Sequence, residues 1–432
     1  MRLTVVGTGY LGATHAAAMA ELGHDVLGLD VDELKVKRLA AGEVPFFEPN
    51  LPALLKRHVD SGRLRFTTSY DDIGEFGDVH FVCVGTPQKK GEYAADVSFV
   101  DAAITELCRV LKPGALVVGK STVPAGTAAR LADQVDAAGG ALVWNPEFLR
   151  EGLAVQDTLR PDRIVMGTES GRGESVLREV YAGMLARGTP VISTDYATAE
   201  LVKVAAHSFL ATKISFINAM AEVCEATGAD VLSLAEALSY DERIGGKFLH
   251  AGLGFGGGCL PKDIRAFLAR SGELGVDQAL TFLKEVDAIN MRRRSRMVEL
   301  AREVCGGSLA GMRVAVFGAA FKPNSDDIRD SPALDVALAV QKAGAAVRVY
   351  DPQAMDNARR DFPTLAYTPS AVAAARDADV ILHLTEWAEF LAINPADLAD
   401  VVAQRRILDG RNALDRELWR AQGWTYRALG RR

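Results

Sequence analysis

MRLTVVGTGYLGATHAAAMAELGHDVLGLD, residues 1–30, contains a complete strand–helix–strand unit. Residues 3–6 are an apolar run short enough for a buried strand, and residues 13–22 carry an alanine-rich helical pattern. Residues 25–29 form a second apolar strand that ends in Asp30. Two strands joined through a helix have to lie parallel, so a βαβ unit and a parallel sheet are expected. Between the first strand and the helix, Gly7, Gly9 and Gly12 stand in G-x-G-x-x-G spacing, with Tyr10 and Leu11 inside the motif. In that context the glycines make a tight turn and let a pyrophosphate approach the helix N-terminus, while Asp30 is placed to accept the hydroxyls of an adenosine ribose. No arginine directly follows Asp30, and its carboxylate repels a 2′-phosphate. NAD is therefore expected over NADP, with Lys35 the nearby cation that qualifies this preference.

Further units follow. Apolar strand patterns at 79–84, 115–118 and 142–144 alternate with helical stretches at 101–111 and 127–137. From about residue 198 to 305 the spacing is helical throughout, in 201–226, 231–238 and 279–304, with no convincing strand between them. At residue 313 strands return: VAVFG, a helix over 332–343 and VRVYD repeat the plan of residues 3–30, terminal aspartate included. The fold class expected is α/β, with two Rossmann-like doubly wound domains joined by a central helical segment. The divisions expected are an NAD-binding domain over 1–197, a helical domain over 198–305 carrying the catalytic loop and a dimer contact, and a nucleotide-sugar-binding domain over 306–432. Gly306 and Gly307 mark the second boundary.

The composition is ordinarily globular: 49% hydrophobic, 24% charged, net charge −7 over 432 residues. That charge provides no basic field for a duplex or an anionic membrane, so neither nucleic acid nor membrane is expected as a partner and phosphate recognition has to be local. The N-terminus enters a strand at once without a signal-peptide pattern, and no apolar run approaches the ~18 residues of a membrane span. A cytoplasmic protein is expected. The seven histidines show no paired ligand spacing, so no metal site is expected. Five irregularly spaced cysteines fit reduced thiols. Cys83, Cys108, Cys224 and Cys305 lie in apolar patterns and read as buried packing.

Cys259 is different. It ends RIGGKFLHAGLGFGGGCLPKD, residues 243–263, where Gly252, Gly254, Gly256, Gly257 and Gly258 supply turns and exposed amides instead of packing. With a helix expected to start near Asp263, the thiol would stand near a helix N-terminus that favours thiolate, which makes it a candidate nucleophile; a structural cysteine in a mobile loop is the alternative. A dinucleotide site and a thiolate together permit a four-electron oxidation, in which an aldehyde is trapped as a thiohemiacetal, oxidised to a thioester and hydrolysed. The proton acceptor this requires points to Lys203, expected to open a helix with His207 one turn on; a solvated surface lysine is the alternative. Asp263 reads equally as a water-activating carboxylate or as an N-cap.

At these residues the chain resembles the UDP-glucose/GDP-mannose dehydrogenase family, on its UDP-glucose branch. The motifs are GTGYLG at 7–12, VGTP at 84–87, KSTVPAGT at 120–127, NPEFLREG at 145–152, ELVKVAAHSFLATKISFIN at 200–218, GFGGGCLPKD at 254–263 and FKPNSDDIRDSPA at 321–333. The resemblance implies Cys259 as nucleophile, Lys203 as acid/base group and Asp263 as its water-orienting partner, with Thr122 and Glu147 aiding water activation and thioester hydrolysis. It places NAD on the first glycine turn, Asp30, Lys35, Thr86, Pro87, Ser121, Thr122 and Arg329, with Glu151 beside the nicotinamide. It places the nucleotide sugar, UDP-glucose, on Phe148, Leu149, Arg150, Glu151, Lys203, His207, Phe248, Leu249, His250, Phe255, Gly256, Lys322 and Arg411. Arg243 would reach into a neighbouring subunit of a homodimer or higher homo-oligomer. Lys322, Arg411 and Arg243 are chemically suited to a pyrophosphate.

Two positions depart from the family pattern: His207 stands where relatives usually have Asn, and Gly258 where they usually have Ser. Unlike an amide, a histidine titrates, so His207 is expected to polarise the C6 oxygen while adding a pH dependence near neutrality. The competing activities are oxidation of GDP-mannose or a UDP-N-acetylhexosamine, a two-electron hydroxyacid-type oxidation needing no cysteine, and a cofactor-binding scaffold or sensor without turnover.

Overall fold

The structure, a computed structural model, describes residues 1–169 and 171–431. By contact density it divides into two units, Met1–Ala206 with Arg265–Gly275, and His207–Ile264 with Val276–Arg432.

In the first unit eight strands form one sheet: β1 (Arg2–Val6), β2 (Asp25–Leu29), β3 (Leu64–Thr67), β4 (Val79–Val82), β5 (Leu116–Gly119), β6 (Ala141–Trp144), β7 (Ile164–Gly167) and β8 (Val191–Thr194). Their order is β3-β2-β1-β4-β5-β6-β7-β8, parallel throughout except for β6 against β7. The order reverses between β1 and β4, where crossovers leave on opposite faces of the sheet and open a crevice beyond the strands' carboxyl ends. The apolar strand runs are continuous because both faces are covered. Leu3, Val5, Phe81, Val118 and Val143 pack into one core, and Val6, Val82, Val117, Leu142 and Trp144 into another. The helix Tyr10–Glu21 is buried from Gly12 through Ala20, and its small side chains let it lie close on the sheet.

The second unit carries a six-stranded, all-parallel sheet: β9 (Arg313–Phe317), β10 (Ala346–Tyr350), β11 (Ala366–Tyr367), β12 (Val380–His383), β13 (Arg406–Asp409) and β14 (Thr425–Ala428), in the order β11-β10-β9-β12-β13-β14. Its reversal point lies between β9 and β12. Helix Pro332–Lys342 starts as the sequence suggests, with Ser331 accepting from Leu334 N and proline in its first turn.

Between the sheets the chain is helical among the described residues, through Tyr196–Thr227, Val231–Ser239, Leu260–Glu273 and Thr281–Val304. Two boundaries differ from the sequence reading. The dinucleotide helix begins at Tyr10, before the alanine pattern, because Gly9 serves as N-cap. The helix after the glycine loop begins at Leu260, because proline is tolerated in a first turn where its missing N–H has no partner to lose. No described helix is long and apolar enough to cross a membrane. Cys83, Cys224 and Cys305 are buried as expected, whereas Cys108 is only half-buried.

Candidate active site

The turn after β1 is closed at two glycines and open at the third. Gly7 adopts φ +87°, and a Cβ there would lie 2.8 Å from Val84 Cγ1. A Cβ on Gly12 would lie 1.8 Å from the Gly7 carbonyl oxygen, whereas one on Gly9 meets nothing within 4 Å. The backbone at Gly9 is thus approachable at the start of a helix whose N-cap has no side-chain partner, the arrangement a pyrophosphate needs. Asp30, just after β2, accepts from Thr8 N at 2.9 Å, Asp32 N at 3.1 Å and Lys35 Nζ at 2.9 Å, so the expected ribose ligand is buried and its neighbouring cation pairs with it from a half-exposed position. These residues fit an adenine dinucleotide.

The walls of the crevice are cross-tied. Thr86 Oγ1 donates to Thr122 O at 2.7 Å and Ser121 Oγ to Val84 O at 2.6 Å, which fixes the loops after β4 and β5 against each other beside the exposed Pro87. Farther along, Glu200 accepts from Gly126 N and Ala128 N at 2.7 and 2.6 Å and closes the same loop at the next helix. The Tyr10 hydroxyl donates to Glu48, which also accepts from Gly152 N at 2.7 Å and Ala154 N at 2.8 Å. Burial and the Glu48 carboxylate push the Tyr10 phenol far above its usual range, so it stays a donor and ties the dinucleotide turn to the segment carrying Glu151. Glu48 was not expected from the sequence, where nothing in FFEPN marks it.

Lys203 does not open its helix but lies two turns inside Tyr196–Thr227, and it is 2% exposed, which removes the surface-lysine alternative. Its Nζ donates to Glu147 Oε1 at 3.0 Å, while Glu147 Oε2 accepts from Leu149 N at 2.7 Å. The Phe148 ring neighbours two cations, with the Arg163 guanidinium 3.7 Å and Lys203 Nζ 5.4 Å from its centroid. Arg150 points elsewhere, into a bidentate pair with Asp157 at 2.7–2.9 Å. NPEFLREG therefore brings Glu147 and Phe148 to Lys203 and turns Arg150 outward.

In the second unit, Cys259 is exposed and occupies the position just before helix Leu260–Glu273, whose first bond runs from Asp263 N to Cys259 O at 3.0 Å. The glycines before it are there for close approach. A Cβ on Gly256 would lie 2.3 Å from Asp330 O, one on Gly257 would lie 2.8 Å from the Phe321 ring, and one on Gly258 would lie 2.1 Å from the Arg329 guanidinium carbon. Gly258 thus accommodates Arg329, itself held by Asp327 at 2.7–3.0 Å. Asn290 grips the loop by both amide groups, donating to Phe255 O at 2.9 Å and accepting from Phe255 N at 2.7 Å. Asp263 is 2% exposed and accepts from His207 Nδ1 and Lys262 Nζ, each at 2.6 Å. It lies inside the helix, so the N-cap alternative does not hold.

The expected sugar-nucleotide residues are dispersed in role. Arg411 donates to the carbonyls of Leu384, Gly254 and Phe321 at 2.7, 2.9 and 3.1 Å and so braces the glycine loop. Leu249 belongs to the apolar core with Ile217 and Cys224, and Phe255 is buried. Phe248, at φ +65°, holds a left-handed backbone unusual for an aromatic residue, next to exposed His250. Lys322 is half-buried beside Phe321, and Arg243 is largely exposed in a bidentate pair with Asp241. Among the described residues no group of three His, Cys, Asp or Glu could hold a metal.

A Rossmann unit with an open glycine turn and a buried Lys–Glu pair, followed by a second Rossmann sheet, defines a dinucleotide-dependent dehydrogenase of two nucleotide-binding halves. Residues 1–185, 197–292 and 315–416 match the NAD binding, central and UDP binding domains of the UDP-glucose/GDP-mannose dehydrogenase family, and the chain belongs to that family. It is 40% identical over 441 residues to a UDP-glucose 6-dehydrogenase of Rhizobium meliloti (strain 1021), covering all of both chains. Among solved structures it is similar to a UDP-glucose dehydrogenase from the archaeon Pyrobaculum islandicum, with TM-score 0.91, 36% identity and coverage of 100% and 98%. A UDP-D-ManNAc dehydrogenase from Pyrococcus horikoshii follows with TM-score 0.87, 26% identity and coverage of 100% and 99%.

Proposed function

We propose that this chain oxidises the C6 alcohol of UDP-glucose to the carboxylate of UDP-glucuronate in two successive oxidations. Residues 1–197 would hold NAD, 198–305 the catalytic loop and a dimer contact, and 306–432 the nucleotide. Bound NAD would supply the oxidant, two molecules per sugar. Lys203, paired with Glu147, takes the hydroxyl proton in the first oxidation. The Cys259 thiolate adds to the aldehyde carbon, and the resulting thiohemiacetal becomes a thioester in the second. Water then releases the acid and returns the thiol, with Glu147, Thr122 and Asp263 positioning that water and His207 polarising the C6 oxygen. Arg243, Lys322 and Arg411 serve the pyrophosphate side, the last by bracing the loop.

The observation that carries this reading is the Cys259 thiol, exposed at a helix N-terminus at the end of a loop whose glycines Gly256, Gly257 and Gly258 leave no room for a Cβ as the chain is packed. The test is the ratio of NADH formed to UDP-glucose consumed. A ratio of two, with Cys259→Ser unable to turn over, supports it. A ratio of one, or an active Cys259→Ser enzyme, means a two-electron dehydrogenase. Running GDP-mannose and UDP-N-acetylhexosamines in parallel decides the sugar.

A further inference from the structure

We propose that Lys120 is a positioning residue for this chemistry: from beneath the Asn145–Pro146–Glu147 turn it sets the Glu147 carboxylate against Lys203. The proposal rests on the reading that Lys203 and Glu147 handle the substrate proton.

Lys120 follows β5 and is buried. Its Nζ donates to Asn145 Oδ1 at 3.0 Å and to Asn145 O at 3.3 Å. The Asn145 side chain is otherwise occupied, accepting from the Tyr181 hydroxyl at 2.8 Å and donating to Val165 O at 2.7 Å. The carbonyl that Lys120 holds belongs to the peptide before Pro146, whose ring fixes the backbone, so its orientation passes directly to Glu147. Glu147 in turn reaches Lys203 at 3.0 Å. A cavity of about 70 Å³ adjoins these groups, lined by His15, Lys120, Asn145, Glu147 and Tyr181.

Holding a carbonyl and an amide needs only a neutral donor, and among the described residues no carboxylate pairs with Lys120. Burial instead pushes its pKa down to about 8. The titratable groups facing it are Cys83 beyond β4, Glu147, Lys203 on helix Tyr196–Thr227, and His15 on helix Tyr10–Glu21, with Tyr181 reached through Asn145. Burial keeps the Cys83 thiol and the Tyr181 phenol protonated and His15 neutral, so of these groups Glu147 is the one carboxylate, and it is taken by Lys203 at 3.0 Å.

The test compares full-length Lys120→Met, Lys120→Arg and Lys203→Met by kcat, KM for both substrates, and thermal midpoint. Lys120→Met should lower kcat roughly 10–100-fold with both KM values within about threefold, the range of a positioned proton-transfer partner. The split between a lowered kcat and unmoved KM values is what a misplaced Glu147 carboxylate gives and a general loss of structure does not. Lys120→Arg, which keeps a donor toward Asn145, should recover most of kcat, and Lys120→Met should melt no lower than the parent because an uncomfortable buried ammonium is gone. A parental kcat in Lys120→Met overturns the proposal. So does a lowered midpoint that tracks the loss of kcat, which marks a structural lysine. An active Lys203→Met enzyme overturns the underlying reading instead.

Discussion

Gly12 and Gly9 separate what the dinucleotide turn needs for folding from what it needs for binding. An alanine at 12 places its methyl carbon 1.8 Å from the Gly7 carbonyl oxygen, against a normal contact of about 3.2 Å, so helix and turn must part by roughly 1.4 Å. The turn is anchored by Gly7 N to Leu29 O at 2.8 Å and Thr8 N to Asp30 at 2.9 Å, and the helix is buried from Gly12 to Ala20, so neither side yields freely. Gly12→Ala should therefore cost about 2–3 kcal/mol of stability, the upper part of the usual overpacking range. It should also weaken NAD at least about 100-fold, equivalent to about 2.7 kcal/mol, because the shift carries Asp30's partners with it. An alanine at 9 meets nothing within 4 Å, and the backbone there, φ −69° and ψ −162°, suits any residue. Gly9→Ala should leave stability within about 0.5 kcal/mol yet weaken NAD about 10–100-fold by occupying the approach to the helix N-terminus. Urea unfolding and calorimetric titration of NAD measure both quantities. Equal destabilisation by the two alanines, or NAD affinity within about threefold of the parent in Gly12→Ala, would refute the reasoning.

Three further outcomes are expected. Asp409 is fully buried, and although burial raises its carboxyl, His383 and the amides of Leu414 and Arg411 outweigh that and hold it below the usual range; Asp409→Ala should cost about 3–5 kcal/mol in urea unfolding, and a loss under about 1 kcal/mol contradicts the network. Burial holds His80 down to about 4 from an ordinary 6.5, so it favours the fold by up to about 3 kcal/mol above pH 6.5, and this contribution disappears as pH falls toward 4. Stability measured from pH 7 to 4.5 should fall less steeply in His80→Leu than in the parent, and parallel curves would show that His80 contributes no such term. Glu48→Ala should free Tyr10 and the amides of Gly152 and Ala154, raising KM for NAD several-fold, and an unchanged KM would show that this tie does not hold the site.

The parts of the architecture readable from sequence were those encoded within a few residues of each other. The βαβ unit of residues 1–30 needs only strand periodicity and three glycines, and its repeat near residue 313 is recognised the same way. GFGGGCLPKD announces a loop, but the reason for its glycines lies in Asp330, Phe321 and Arg329, more than sixty residues on. Lys203 was named as a proton acceptor, yet its burial depends on Glu147 and Phe148 from another strand end. Glu48, Lys120 and Asn145 were given no role, since each is an ordinary polar residue until partners far along the chain close around it. Pro261 misplaced a helix start because a proline before a pattern and one in its first turn look alike.

The two Rossmann sheets show why a shared plan does not carry a shared ligand. Both second strands end in aspartate, Asp30 and Asp351. Asp351 accepts from the amides of Ala319, Ala320, Gln353 and Ala354 and from Trp387 Nε1, all at 2.8–3.0 Å, and is 1% exposed. Five donors saturate its oxygens, so it closes its own turn and has no capacity left for ribose hydroxyls. Gly318, the counterpart of Gly7, packs against Thr385, where a Cβ would lie 2.3 Å from its hydroxyl oxygen. Asp30 receives two backbone amides, one hydroxyl and the half-exposed Lys35 ammonium, partners a ribose hydroxyl would be able to displace or share. Of the two carboxylates, only Asp30 keeps capacity that a ligand hydroxyl could use, so the repeated strand–helix–strand plan carries its terminal aspartate into two different jobs.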